Sequence, residues 1–195
     1  MKVVEELESL KSEILEMHKV ARESVRLCFI AMRGRRDVVK EISKLEEKSD
    51  KMEADIHDHC ARILIRFHPF ARDFRFTMSA IRMSSAYERI VDLAQEIAIY
   101  ECKFREKIFE AESVLLKMFD LILEGYSDSK KLLELSKLDD LVDKAYIEAM
   151  EEVESSFESV DEILAIRHIE RIGDILCKIG ARLLYAIEGN WEWIK

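Results

Sequence analysis

The chain has almost nothing that breaks a helix. Its 195 residues contain one proline, Pro69, and five glycines. Proline and glycine are the residues that most oppose helix propagation, so long uninterrupted stretches are free to wind. The apolar residues repeat with the period that helices require. Val3, Leu7, Leu10, Ile14, Met17, Ala21 and Cys28 fall on one helical face. Gly34 in RGRRD ends that helix. A second helix puts Val38, Ile42, Leu45, Met52, Ile56 and Ile63 inward, and Pro69 opens a third that carries Ala80, Met83, Tyr87, Ile90, Ala94 and Ile97 to about Cys102. The pattern then starts again. A fourth helix is predicted from about Phe104 to Glu124 with Gly125 as its C-terminal signal, then a turn with an N-cap at Ser127 or Asp128. A fifth covers about 129–155, and a sixth carries Ile169, Ile172, Leu176, Ile179, Leu183 and Ala186 to a stop at Gly189. No period-two run of useful length occurs. The expected fold is all-α: six long helices in two tandem, pseudo-symmetric three-helix bundles, residues 1–102 and 103–195.

The two halves repeat each other in their acidic residues. Both third helices carry Glu-Arg-Ile-x-Asp, at Glu88/Asp92 and Glu170/Asp174. Both second helices carry an acid four residues before an Asp, at Glu46/Asp50 and Asp139/Asp143. The stretch between the motifs is shorter in the second repeat, Asp139 to Glu170 against Glu46 to Glu88. The difference is close to three helical turns, so the deletion hardly rotates one face against the other. Like charges at i and i+4 cost a helix a few tenths of a kcal/mol. With 40 acids in the chain, roughly eight such pairs arise by chance. Chance does not place them on the same turn of the same helix in both repeats.

Glu46 and Asp50 follow the core positions Leu45 and Ser49 by one step, as Glu170 follows Ile169. The carboxylates therefore flank the core, and two neighbouring helices would gather four of them in one outer groove. Left alone they repel and their pKa values rise; a bound multivalent cation reverses this. Carboxylate oxygen without thiolate favours iron, manganese, magnesium or calcium. The alternative is neutralisation by Arg89 and Arg171. Glu53 lies on the Glu46/Asp50 face and adds a possible ligand.

Other chemistry is missing from the pattern. None of His18, His57, His59, His68 or His168 has a Glu three residues before it, so the ferritin-like E-x-x-H signature is absent. His57 and His59 point about 200° apart on a helix and read as a core-edge and a surface residue. Cys28, Cys60, Cys102 and Cys177 are scattered with no C-x-x-C, which predicts four reduced, apolar cysteines. There is no P-loop and no nucleophile elbow, so no enzyme is indicated. A net charge of −9 without a basic stripe argues against nucleic acid. No apolar run approaches a membrane span, and the charged start does not read as a signal peptide, so a cytoplasmic location is expected.

At these residues the chain resembles the PhoU family, regulators of phosphate uptake. The resemblance is carried by EEKSDKMEADIHDHC, HPFARDFR and YERIVDLA in the first repeat, and by LDDLVDKAY, HIERIGD and LLYAIEGN in the second, all in the family's order. It implies two three-helix bundles and a negative regulator that couples a phosphate ABC transporter to its sensor histidine kinase. It also implies multinuclear iron or zinc clusters, with Glu46, Asp50, Glu88 and Asp92 as ligands in one repeat and Asp139, Asp143, Glu170 and Asp174 in the other. Two positions depart from the family's pattern. Phe74 replaces a Leu, and Val91 replaces the Gly that Gly173 keeps, placing a β-branched side chain where a neighbouring helix would approach. Two other readings remain: a metal-buffering helical protein, and an architectural dimer whose acidic grooves bind basic peptides. A homodimer is possible in each.

Overall fold

The computed structural model describes residues 2–155, 159–190 and 194. Six α-helices account for nearly all of them: α1 (Lys2–Met32), α2 (Val39–Phe67), α3 (Ala71–Ile99), α4 (Glu110–Gly125), α5 (Leu135–Ser155) and α6 (Val160–Glu188). No strand occurs among the described residues. Helices α1, α2 and α3 pack on one another, as do α4, α5 and α6, and the two bundles meet through α3 against α6 and α1 against α4. Arg75, near the start of α3, donates to the carbonyl of Tyr185 near the end of α6 at 3.3 Å. His168, early in α6, lies 3.4 Å from Glu96, late in α3. The two central helices are therefore antiparallel.

The core is the apolar stripe read from the sequence. Ala80, Met83, Tyr87, Ile90, Ala94 and Ile97 of α3, with Ile169, Ile172, Leu176, Ile179, Leu183 and Ala186 of α6, are all buried. Helix ends follow local chemistry. Gly34 takes φ +93°, closing α1 with its amide on the carbonyl of Ala31 at 2.9 Å. Gly189 takes φ +84° and donates to Tyr185. Such positive φ is cheap only for glycine. Arg36 caps α3 from across the bundle, donating to the carbonyls of Ala98, Tyr100 and Ile99. Asp128 and Ser159 accept from the backbone amides two residues on, at the 3₁₀ turn before α5 and at the start of α6.

Three expectations are corrected. Helix α4 begins at Glu110 rather than Phe104, and α5 at Leu135 rather than 129, because a 3₁₀ turn precedes each, Glu106–Phe109 and Ser129–Glu134. Gly125 is not a left-handed stop. It is the last residue of α4, in helical conformation, and a Cβ there would collide with the side chain of Leu132, itself fully buried. Its role is to let the turn before α5 approach. Gly125→Ala should therefore lose about 1–2 kcal/mol net, overpacking outweighing the better helix propensity of Ala. Thermal unfolding checks it: a melting temperature at or above that of the parent would mean that Leu132 can move aside.

Candidate functional site

The acidic pairs form two grooves, one along α2 and α3 and the other along α5 and α6. In the first, Glu88 feels Asp92 on its own helix and Glu53 and Asp50 on α2. Partial burial first, then these neighbours, push its carboxyl up to about 7. Glu46 is raised by burial and then by Asp50 and Asp92, with a hydrogen bond from Gln95 acting the other way. In the second groove, burial followed by Asp143 and Asp174 raises Asp139 to about 6. Burial and Asp174 raise Asp143 as well. Glu170 is raised chiefly by burial, which outweighs Arg167 and Arg171. Each groove thus brings together the four acids singled out in the sequence, and their negative charge is not fully compensated.

Arginine neutralises only part of it. Arg89 pairs with Asp92 at 3.1 Å and with Glu96 at 3.9 Å, while Glu88 beside it stays raised. In the second groove Arg167 approaches Glu170 at 3.3 Å. The contact is to Oε2, which is buried, and it lacks hydrogen-bond geometry, so it is an ion pair only. Lys178 stands 3.8 Å from Asp174 and is well exposed, which makes it a weak, screened partner.

The donors suit a cation in kind. They are hard carboxylate oxygens, raised by burial and by one another. They do not yet form a cage: among the described residues no group of three His, Cys, Asp or Glu converges closely enough to hold an ion. Carboxylates that repel turn apart, and an ion would have to draw them in by rotation about their side-chain torsions.

Second-repeat geometry differs at Gly173. A Cβ there would sit 3.1 Å from Asp139 Oδ1 and 3.3 Å from Val142 Cγ1, so the missing side chain lets α5 come close. The matching Val91 is fully buried. The sequence reading missed three neighbours. Ser85 donates to Glu53 at 2.5 Å. Gln95 bonds Glu46, and Cys177 occupies the equivalent place beside Asp139. Gln95 and Cys177 are separated by the same interval as Glu88 and Glu170, so aligning the repeats would have found them. His59 is also corrected. It is not a surface residue but is buried between Glu13, 2.9 Å from its Nδ1, and Glu6, 2.9 Å from its Nε2, tying α2 to α1. His57 reaches the carbonyl of Ile81 at 3.2 Å instead. All four cysteines are free.

The PhoU domain model matches residues 14–100 and again 108–183. The chain belongs to the PhoU family. Within that family it is 48% identical over 196 residues to the "Phosphate-specific transport system accessory protein PhoU homolog" of Archaeoglobus fulgidus, covering all of both chains. It is 28% identical to the PhoU homolog of Borreliella burgdorferi, across 95% of this chain and 94% of the other. The crystal structure of PhoU from Pseudomonas aeruginosa superposes with a TM-score of 0.85 at 24% identity, covering 95% of this chain and 98% of that one, which shows the shared PhoU fold. No described helix is long and apolar enough to cross a membrane.

Proposed function

We propose that this chain is a negative regulator of phosphate uptake that acts by docking, without catalysing a reaction, on a phosphate ABC transporter and its sensor histidine kinase in the cytoplasm. The observation that carries the reading is the end-to-end 48% identity to a relative named as a phosphate-transport accessory protein. The family's members are accessory proteins, and nothing in the chain's motifs requires an enzyme. Deleting the gene should leave phosphate uptake high under phosphate excess. Uptake that still shuts down in the deletion strain would remove the regulator reading.

The eight carboxylates are the groups that would hold metal: Glu46, Asp50, Glu88 and Asp92 in one groove, and Asp139, Asp143, Glu170 and Asp174 in the other. Multinuclear iron or zinc would supply positive charge between paired helices whose own acids repel. Metal content, with anomalous diffraction at the iron and zinc edges, tests this part by itself. Protein without either signal would leave the regulator reading standing and remove the metal. The grooves should also differ. Bridging carboxylates need their oxygens about 2 Å from each ion, and Gly173 allows the closer approach. Asp174→Asn should therefore abolish the tighter class of bound ions in a titration, while Asp92→Asn spares it; the opposite result would mean that Val91 does not hold its groove open.

A further inference from the structure

The turn between α2 and α3 differs in charge from the rest of the molecule. Residues 62–82 contain five arginines, one aspartate and no lysine or glutamate, a formal +4 in a chain of −9. Elsewhere most arginines are matched with acids, among them Arg22 with Asp120, Arg33 with Glu112, Arg35 with Asp37 and Arg105 with Glu162. Arg62, Arg66, Arg72 and Arg82 are exposed, and among the described residues none of them pairs with a carboxylate. Apolar side chains stand among them. Phe70 is 85% exposed, Ile65 72% and Phe74 46%. His68 and Ala71 take φ +45° and +47° to turn the chain, leaving Phe70 at the apex.

This hairpin is also the longer of the two. Helix α2 continues past Glu46 to Phe67, whereas α5 continues past Asp139 only to Ser155. Helix α3 starts at Ala71, well before Glu88, whereas α6 starts at Val160, much nearer to Glu170. The three-turn difference between the repeats is therefore extra hairpin, between one and two turns on each helix, or roughly 8–10 Å at the helical rise. What the first repeat has and the second lacks is the arginine-aromatic tip.

An exposed apex of aromatic and aliphatic side chains surrounded by unpaired arginines has a specific complement. A single negative plane must face the guanidinium groups, and an apolar medium must lie just beyond it for the rings. The headgroup layer of an anionic bilayer offers both, and it receives a projecting ring without a preformed pocket. We infer that the α2–α3 hairpin tip is a docking surface for anionic lipid, on which Phe70, Phe74 and Ile65 lie at the headgroup boundary and Arg62, Arg66 and Arg72 contact phosphates. The protein lies on the bilayer and does not span it. The inference is independent of the metal grooves and of the phosphate-transport reading.

Flotation of the whole chain with vesicles tests it. Vesicles of equal parts phosphatidylglycerol and phosphatidylcholine should carry the protein upward, those of phosphatidylcholine alone should not, and binding should fall sharply by about 0.5 M salt. Phe70→Ser with Phe74→Ser, and separately Arg66→Glu with Arg72→Glu, should each lower binding about tenfold or more. These side chains are exposed, so an unchanged melting curve shows that the fold is intact. Lys117→Glu with Lys103→Glu alters exposed charge on α4 and beyond the far end of α3 and should bind as the parent does. The inference is overturned by absence of binding to anionic vesicles, by equal binding of the tip variants, or by equal loss in the lysine control. A tip that ignores vesicles but is needed to hold an acidic protein partner would overturn it too.

Discussion

Iron, zinc or manganese added to metal-free protein should raise the melting temperature by about 5–10 °C at a concentration near one hundred times the dissociation constant. The figure follows from the stabilisation of about 2.7 kcal/mol that a ligand selective for the folded state confers at that ratio, and from the roughly 2–4 °C per kcal/mol usual for a chain of this size. Glu170→Gln with Asp174→Asn should abolish the second groove's share. The same variant should melt higher than the parent when both are metal-free, because it removes charges that crowd one another. Melting curves of parent and variant, each with and without metal, distinguish the outcomes. A parent unchanged in millimolar metal would mean that the arginines beside the grooves suffice.

The second large effect lies at His18. It is buried where α1 meets α3 and α4, its Nδ1 2.9 Å from the Tyr87 hydroxyl and its ring edge-on to Phe119. Its Nε2 is buried without a partner. Burial, and then Arg22, lower its pKa to about 4, with Asp120 opposing. An unfolded histidine titrates near 6.5, so above that pH neither state carries the proton and nothing is lost. Below it the unfolded chain takes up a proton that the folded chain refuses. Stability should fall from pH 6.5 to 4, by about 3 kcal/mol in all, and then level off. The acidic grooves act in the opposite direction. Glu88 and Asp139 have raised folded pKa values, so repulsion costs stability as pH rises through about 6 to 7 and is relieved as it falls. His168, lowered chiefly by burial, acts in the same direction as His18. Replacing His18 and Tyr87 together by Phe removes the histidine without orphaning the hydroxyl, and denaturant unfolding at pH 4 and pH 7 should show a slope displaced from the parent's toward that of the grooves. A double variant with the parent's slope would show that His18 takes a proton in the folded state.

The sequence made the helical architecture legible because period and punctuation agreed. The stripes on α3 and α6 ran unbroken, and Gly34 and Gly189 stood where positive φ was needed. Gly125 was misread because a glycine at a helix end can serve backbone conformation or close packing, and only the position of Leu132 decides between them. The start of α4 was placed early because apolar Phe104 and Ile108 continue a helical spacing that a 3₁₀ turn also satisfies. In the grooves, the repeat revealed the acids, since each lies on the same turn as its partner's copy. It did not reveal His59 between Glu6 and Glu13, because that contact joins α1 to α2 across 46 and 53 residues and has no counterpart motif.

The antiparallel packing of α3 on α6 also sets the arginine tip at one end of the two central helices. The arginine tip at the start of α3 lies beside the end of α6. The opposite end carries both signs: Arg36 on the last carbonyls of α3 and Arg105 beside Glu162, with Glu151, Glu152 and Glu154 in the last turns of α5. A 29-residue helix such as α3 is about 43 Å long. At physiological ionic strength fields decay over about 8 Å, several times less than that length. A negative surface at the tip would therefore act on the arginines there, while charges at the far end, whatever their sign, went unfelt.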